Sequence, residues 1–201
     1  MKKIMMLTAV AAGLATMAFT LTTVLPIGAE MPKATVKMKD VSGKEISIKD
    51  AVKKNGVLVM FSCNTCPYVV KNEQRTVAIG EYAQKNNVGV IILNSNEAQR
   101  TSDDSYDEMK KYATEKKYAW SYVVDKNNEV ADAFGANRTP ECFLFDKDLK
   151  LVYHGAIDDN PSDETAVKRQ HLKEAINELT AGKEVTVKES KSVGCTIKRN
   201  K

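Results

Sequence analysis

The sequence predicts an α/β protein in which helices flank a central mixed β-sheet. Two unbroken apolar runs rich in β-branched residues, at 57–61 and 88–93, have the character of strands that are covered on both faces. Segments with helical periodicity alternate with these strands, which predicts crossover connections and a parallel centre for the sheet. Two further strands, at 141–145 and 149–154, are separated only by a polar turn and add an antiparallel hairpin.

The remaining elements follow from local start and stop signals. Pro67 is favoured in the first turn of a helix, where its missing N–H is not needed, and Gly135 and Gly182 are typical of residues just past a helix end. In chain order we expect an entry hairpin at 32–48, a short helical turn at 49–52, a helix at 67–85, a helix starting near Ser102, a strand at 120–124, and helices at 127–134 and 164–180.

The first residues differ in composition from the rest of the chain. Lys2 and Lys3 precede a long uncharged apolar stretch, which is typical of a secretory signal peptide. The alternative is a membrane anchor, because the uncharged run is long enough to span a bilayer, but threonines, Pro26 and Gly28 dilute its second half. We therefore expect a signal peptide at 1–24, one domain at 25–182 and a C-terminal tail at 183–201. The mature chain would have no membrane span and would be secreted or periplasmic.

The charge pattern excludes some classes of function. The 30 basic and 26 acidic residues nearly balance, and no basic block with interleaved aromatic residues appears, so we expect no nucleic-acid partner. No glycine-rich phosphate loop is present, and the acidic clusters do not have the spacing of a calcium loop. We interpret these acidic residues as solvated turns and caps: Asp103, Asp104, Asp158, Asp159 and Asp163.

Cys63 and Cys66 have Cys-x-x-Cys spacing between a buried strand and a helix. A thiol at a helix N-terminus is stabilised as the reactive thiolate by unpaired N–H groups and the helix dipole, and Cys66 directly precedes Pro67. Thiol–disulfide exchange then proceeds by thiolate attack on a substrate disulfide and resolution of the mixed disulfide by a second cysteine. Disulfides persist in an exported protein, and four cysteines allow three pairings between which the sequence does not choose.

These motifs together resemble thioredoxin-fold redoxins, in particular the peroxiredoxin-like, AhpC/TSA-type branch. The resemblance covers Leu25 to Ala181 and rests on the strand-ending Phe61, the cysteine turn at 63–69 and the Arg138-Thr139-Pro140 segment, with a weaker match in the tail at 193–198. It implies that Pro140 is a cis-proline abutting the active thiol and that the backbone at Thr139 pairs with an extended substrate. We expect no cofactor.

The cysteine pair is offset from that of ordinary thioredoxins. Counting from the strand-ending Phe61 places the attacking cysteine of the family at Cys66 and its second cysteine at Val69, which has no thiol. Either Cys66 attacks and Cys63 resolves, or Cys63 is the attacker in a lengthened turn. We favour Cys66.

The sequence thus predicts a thiol–disulfide oxidoreductase that acts with a protein thiol or disulfide substrate or redox donor. The first alternative is a thiol peroxidase that reduces hydroperoxides, with Thr65 and Arg138 assisting the thiolate. The Pro-x-x-x-Thr-x-x-Cys signature of peroxiredoxins is absent, since 60–65 contains no proline. A second alternative is a thiol-based copper carrier or a non-catalytic binding module. The histidines available to such a carrier are His154 and His171, which we interpret as structural and solvated, so we expect no metal site.

The sequence leaves more than one role open for each of the other two cysteines. Cys142 follows Pro140 by two residues and is either a small buried hydrophobe or a third thiol near the active pair; we favour the first. Cys195 lies in a polar tail that we expect to be mobile. It would resolve an oxidised Cys66, pair with Cys142 or stay free.

Overall fold

The computed structural model describes residues 23–200. The predicted signal peptide lies outside the described residues except for Thr23 and Val24, and Val24 packs against the core. Within 23–200, no helix is both long and apolar enough to cross a bilayer.

A seven-stranded mixed sheet forms the centre of the molecule. The strands of the fold are β1 (Met38–Asp40), β2 (Glu45–Ile46), β3 (Val57–Ser62), β4 (Gly89–Asn94), β5 (Ser121–Val124), β6 (Arg138–Thr139), β7 (Glu141–Phe145), β8 (Leu151–Gly155) and β9 (Cys195–Thr196). The order in the sheet is β2-β1-β5-β4-β3-β7-β8. Strands β3, β4 and β5 are parallel to one another, whereas β1 pairs antiparallel with β5 and β7 pairs antiparallel with β3 and β8. The predicted α/β class, with its parallel centre and closing hairpin, is confirmed.

Helices cover both faces of the sheet, and each face has its own core. Alternate residues of β3 point to opposite sides: Leu58 and Met60 join one core, and Val59 and Phe61 join the other. This explains the unbroken apolar sequence of the strand. The helices are α1 (Ile48–Ala51), α2 (Pro67–Lys71), α3 (Glu73–Lys85), α4 (Tyr106–Glu115), α5 (Glu129–Phe134) and α6 (His171–Thr180), with 3₁₀ turns at Glu97–Gln99, Lys126–Asn128 and Glu164–Ala166.

Two predicted helices differ from the structure. The helix expected at 67–85 is interrupted at Asn72, whose side-chain Nδ2 donates to the carbonyl oxygens of Tyr68 (2.7 Å) and Pro161 (3.0 Å). The helix expected from 164 begins only at His171, because the backbone becomes extended at Val167 after the 3₁₀ turn. Both interruptions depend on tertiary contacts or local dihedral angles that the apolar periodicity does not report.

The C-terminal tail is docked rather than mobile, contrary to the sequence prediction. The His154 N–H donates to the Lys188 carbonyl oxygen, and the Ser190 N–H donates to the His154 carbonyl oxygen, at 2.9 and 3.0 Å. Further along, β9 pairs antiparallel with β6, and Ile197 is buried in the core beside α5. The tail therefore crosses the sheet edge and reaches the loops at the carboxyl ends of the parallel strands.

Candidate active site

The cysteine turn lies at the carboxyl end of β3, where that strand meets α2. Cys66 is the N-cap residue of α2, and Pro67 occupies the first turn, as predicted. Both cysteines are buried: Cys63 is 1% exposed and Cys66 is 5% exposed. The strand thus delivers two sulfur atoms to one covered end of the sheet.

Thr139 stands between the two cysteines. The peptide bond from Thr139 to Pro140 is cis, which agrees with the prediction for Pro140. The Thr139 side-chain Oγ1 lies within hydrogen-bonding distance of the Cys63 Sγ, at 3.4 Å, and the Thr139 carbonyl oxygen lies 3.3 Å from the Cys66 Sγ. The predicted thiols and the predicted cis-proline loop are therefore brought together.

A disulfide joins Cys66 to Cys195, with 6.1 Å between the two Cα atoms. Cys63, the predicted partner of Cys66, is a buried free thiol. Cys195 reaches Cys66 because β9 pairs with β6, which places Cys195 directly opposite Thr139. The tail cysteine, for which the sequence left three outcomes open, is thus part of the candidate site.

The burial of Cys63 affects the pKa of its thiol. Removal from water raises the pKa of the Cys63 thiol above its ordinary value, because desolvation disfavours the thiolate. The hydrogen bond to Thr139 acts in the opposite direction, and the nearby negative charge of Asp104 adds to the upward shift. Cys63 therefore keeps its proton at neutral pH, whereas a nucleophile needs to lose it.

A buried polar network holds the cysteine turn in place. The Asp104 carboxylate, which is fully buried, accepts hydrogen bonds from the Asn64 backbone N–H (2.8 Å) and from the side-chain amides of Asn94 (2.7 Å) and Asn96 (2.8 Å). The Tyr122 hydroxyl donates to the Asn64 side-chain oxygen at 2.8 Å. Since Asn64 lies between the two cysteines, these contacts fix the turn to β5, to the last residue of β4 and to the loop that follows β4.

A second buried carboxylate positions Thr139. Glu141 Oε2 accepts hydrogen bonds from the backbone N–H groups of Asn137 (2.8 Å) and Arg138 (2.9 Å), and Glu141 Oε1 lies 2.8 Å from His154 Nε2. The His154 ring also packs against Phe143, with ring centroids 4.5 Å apart. Glu141 thus ties the segment before Thr139 to the β7–β8 hairpin.

The predicted auxiliary residues lie in different places. Arg138 is exposed, and its Nη1 donates to the Gly194 carbonyl oxygen (3.4 Å) and to the Thr196 hydroxyl (3.3 Å), so its guanidinium lies along the tail. Thr65 is exposed in the cysteine turn. Cys142 is a fully buried free thiol on β7, and desolvation raises its pKa well above the ordinary value.

Comparison with known proteins identifies the family of this chain. The model of the AhpC/TSA family matches residues 27–154. The chain belongs to the AhpC/TSA family. Among curated proteins, a search finds no match to the chain.

Solved structures resemble this AhpC/TSA protein over most of its length. An uncharacterized conserved protein from Geobacillus kaustophilus is 33% identical, with 87% of this chain and 93% of that chain covered and a TM-score of 0.81. A hypothetical protein from Sinorhizobium meliloti is 28% identical, with 89% and 97% covered and a TM-score of 0.78. A putative thiol:disulfide interchange protein DsbE from Chlorobium tepidum is 14% identical, with 79% and 97% covered and a TM-score of 0.57, which shows a likeness of fold alone. The thioredoxin-like fold expected from the sequence is confirmed.

Histidines in this AhpC/TSA protein do not join the cysteines. His154 is engaged by Glu141, and His171 begins α6. Among residues 23–200, no group of three or more histidine, cysteine, aspartate or glutamate side chains is arranged to hold a metal ion.

Asp104 and Glu141 are the supporting residues that sequence reasoning missed. The interpretation of Asp104 as a solvated turn residue is wrong, because its carboxylate is buried and accepts hydrogen bonds from three donors. Asp158 was likewise expected to be solvated but forms a buried ion pair with Arg75 at 2.6 Å. The available signal for Glu141 was its place at the start of an otherwise apolar strand directly after the cis-proline. Asp104 carries no comparable local signal.

Proposed function

We propose that this AhpC/TSA protein is a thiol–disulfide oxidoreductase of an exported compartment, with Cys66 as the attacking thiol. One observation carries the proposal: Cys66 begins α2, lies against Thr139, and is bonded to a cysteine that β-strand pairing places opposite Thr139. The site therefore already holds Cys66 in a disulfide with an extended segment. A substrate cysteine in an extended polypeptide would occupy the same position.

Cys195 and Cys63 are the two proposed disulfide partners of Cys66. Bonding between Cys66 and Cys195 supports Cys195 as the first resolving thiol. Cys63 lies on the other side of Thr139, and its raised pKa favours a protonated thiol that is a poor first attacker. The pair predicted from the sequence, Cys66 with Cys63, then forms only when the tail is not bonded.

Reduction of a substrate disulfide takes two thiol–disulfide exchange steps. The Cys66 thiolate attacks one substrate sulfur, and the other sulfur leaves as a thiolate that takes up a proton. A second cysteine of this chain then attacks the Cys66 sulfur and releases the substrate thiol. The substrate gains two electrons, and an external dithiol is needed to reduce the chain again.

The test is a single-turnover assay on pre-reduced full-length protein from which the reductant has been removed. We expect reduction of a peptide disulfide to fall to background in Cys66→Ser, and we expect the buried-thiol control Cys142→Ser to retain it. The mixed disulfide should accumulate in Cys195→Ser if Cys195 resolves it and in Cys63→Ser if Cys63 does. Equal rates for the wild-type protein and Cys66→Ser would refute the proposal.

Hydroperoxide reduction is the second candidate. A disulfide between a cysteine at the start of a helix and a distant cysteine is also what remains when a sulfenic acid condenses with a second thiol. Hydrogen peroxide consumption is therefore measured in parallel. Consumption that depends on Cys66, without any Cys66-dependent disulfide reduction, would favour the peroxidase and reject the oxidoreductase.

Export is proposed on two grounds. The leader composition of residues 1–24 predicts secretion, and a disulfide between distant cysteines is stable in an oxidising compartment. Fractionation of cells that express the full chain would test it, with a shortened protein outside the cytoplasm as the expected result.

A further inference from the structure

The tail occupies the candidate site as a short β-strand. Cys195 pairs with Thr139 and Thr196 pairs with Arg138, in the antiparallel direction. The Arg138 guanidinium donates to the carbonyl oxygen of Gly194, the residue directly before this strand. Main-chain pairing of this kind recognises any extended polypeptide, so selectivity has to come from the side chains at each position.

Gly194, directly before the disulfide cysteine, has no room for a side chain. A Cβ atom there would lie 2.2 Å from the Thr139 carbonyl oxygen, 2.7 Å from the Thr139 carbonyl carbon and 3.3 Å from the Pro140 nitrogen. These are backbone atoms, which do not rotate away as the end of a long side chain does. The strand beside Thr139 therefore accepts only glycine at this position without a shift of the main chain.

Ile197, two residues after the disulfide cysteine, supplies an apolar anchor. Its side chain is 3% exposed in the core that includes Phe134 and Ala136, and its N–H donates to the Asn137 carbonyl oxygen at 3.1 Å. Thr196, between the anchor and the cysteine, is exposed. Residues 194–197 of the tail thus occupy four different positions in order. The first has no room for a side chain, the second holds the reactive cysteine, the third is open to solvent and the fourth is apolar.

Asn137–Pro140 and Cys66 form the surface on which the tail lies, which we call the tail groove. We propose that the tail groove selects substrates in which a glycine precedes the reactive cysteine and an apolar residue follows it by two positions. Residues 193–198 are then a built-in copy of the preferred substrate segment. The substrate class is an extended polypeptide disulfide with the pattern Gly-Cys-x-apolar. This proposal rests on the proposed function and specifies its substrate.

Substrate and tail exclude each other, because Thr139 pairs with only one strand at a time. The Cys66 thiolate attacks the substrate cysteine, the former partner sulfur of that cysteine leaves as a thiol, and a mixed disulfide forms in the tail groove. The Cys195 thiolate then attacks the Cys66 sulfur as the tail takes back the groove. The substrate leaves as a thiol, and Cys66 and Cys195 have lost two electrons as a pair.

The test uses the full chain with Cys195→Ser and Cys63→Ser, pre-reduced, so that neither of these positions can form a disulfide with Cys66. The probe is the peptide Ser-Val-Gly-Cys-Thr-Ile-Lys, whose cysteine carries 5-thio-2-nitrobenzoate as a mixed disulfide; release of the coloured thiol reports the attack, and mass spectrometry identifies the adduct on Cys66. Two comparison peptides replace the glycine by alanine or the isoleucine by serine. We expect each comparison peptide to react about tenfold more slowly, the first because the added methyl group overpacks the groove and the second because apolar burial is lost.

A glutathione mixed disulfide with the same coloured thiol separates the two proposals. Equal rates for the glycine and alanine peptides, with normal reaction of the glutathione probe, would overturn the selectivity and leave the proposed function standing. No Cys66-dependent reaction with any probe would overturn both.

A second measurement examines the tail in its own chain. In an otherwise wild-type protein, Gly194→Ala should lower the fraction of the Cys66–Cys195 disulfide in a glutathione redox buffer, with the closing equilibrium about tenfold weaker. The matched control is Lys191→Ala, because Lys191 is exposed on the tail outside residues 193–198. If Gly194→Ala closes as readily as Lys191→Ala, the selectivity is wrong.

Discussion

At the scale of single residues, the environment separates two cysteines that the sequence presents as a pair. The proposal that Cys66 is the attacker rests on its place before Pro67, and the cis bond at Pro140 is expected from the family resemblance. The burial of Cys63 behind Thr139 was not available, because it depends on how the loop before Pro140 folds onto the turn. The sequence therefore predicted that the cysteine turn and the cis-proline loop meet, but not that burial raises the pKa of the Cys63 thiol.

The raised pKa of Cys63 predicts that this thiol is alkylated slowly at neutral pH. In reduced protein, alkylation of Cys63 by iodoacetamide should be slow at neutral pH and should rise only above about pH 9, the ordinary value for a thiol, because burial raises its pKa. Peptide mass spectrometry after timed alkylation measures the rate at each cysteine. Faster modification of Cys63 than of Cys66 at pH 7 would contradict it.

The raised pKa of Cys63 also makes the stability of the fold depend on pH. A raised pKa in the folded state means that the protonated thiol stabilises the fold at low pH and that this contribution is lost as the pH rises above the unfolded value of 9.0. Cys142 acts in the same direction. The free energy of unfolding should therefore fall above about pH 9, and less so in Cys63→Ala.

At the scale of elements, strands and helix ends were predictable, whereas the contacts between loops were not. The continuous apolar runs correspond to β3 and β4, and Gly135 ends α5 with a positive φ of 65° as expected. The break at Asn72 and the network at Asp104 each join residues far apart in sequence; Pro161, for example, accepts from Asn72 across 89 positions. Local sequence patterns do not identify hydrogen-bond partners that are so far apart in the chain.

Replacement of Asp104 tests the role of this network. Asp104→Asn keeps the shape but turns one oxygen acceptor into a donor, so at least one of the three N–H groups that face it loses its partner. We expect the free energy of unfolding to fall by about 1–3 kcal/mol, the cost of an unsatisfied buried polar group. We also expect slower reaction of Cys66 with a disulfide probe, since Asn64 in the cysteine turn is one of the donors.

Its matched control is Asp103→Asn. Asp103 is the exposed neighbour and contributes only its carbonyl oxygen, which accepts from the Asn64 side chain at 2.8 Å. Urea unfolding of both variants gives the comparison. Equal stabilities would show that the Asp104 carboxylate does not hold the turn.

At the scale of the whole molecule, one disulfide spans most of the chain. Cys66 and Cys195 are 129 residues apart, so their bond restricts the unfolded chain over most of the domain. Composition could not predict this, because four cysteines are compatible with several pairings and the tail reads as polar. Only the docking of the tail, through Ile197 and its strand pairing, makes the pairing evident.

Reduction should therefore destabilise the protein. We expect dithiothreitol to lower the free energy of unfolding by about 2–5 kcal/mol, as for a disulfide that closes a long loop. Urea titrations with and without the reductant measure the difference. The control is Cys195→Ser, which should respond little to the reductant; an equal response in both proteins would mean that the bond does not stabilise the fold.

The route of the tail past β8 also bears on association between copies of the chain. β8 is the last strand of the seven-stranded sheet, and an open edge of this kind offers N–H and carbonyl groups to the strands of other molecules. Here the segment 28–29 takes the edge groups of Leu151, and the segment 188–190 takes those of His154. Because the second segment leads directly into the cysteine-bearing strand, the same stretch of chain that closes the thiol site also covers this edge, and it hinders the addition of a further strand next to β8.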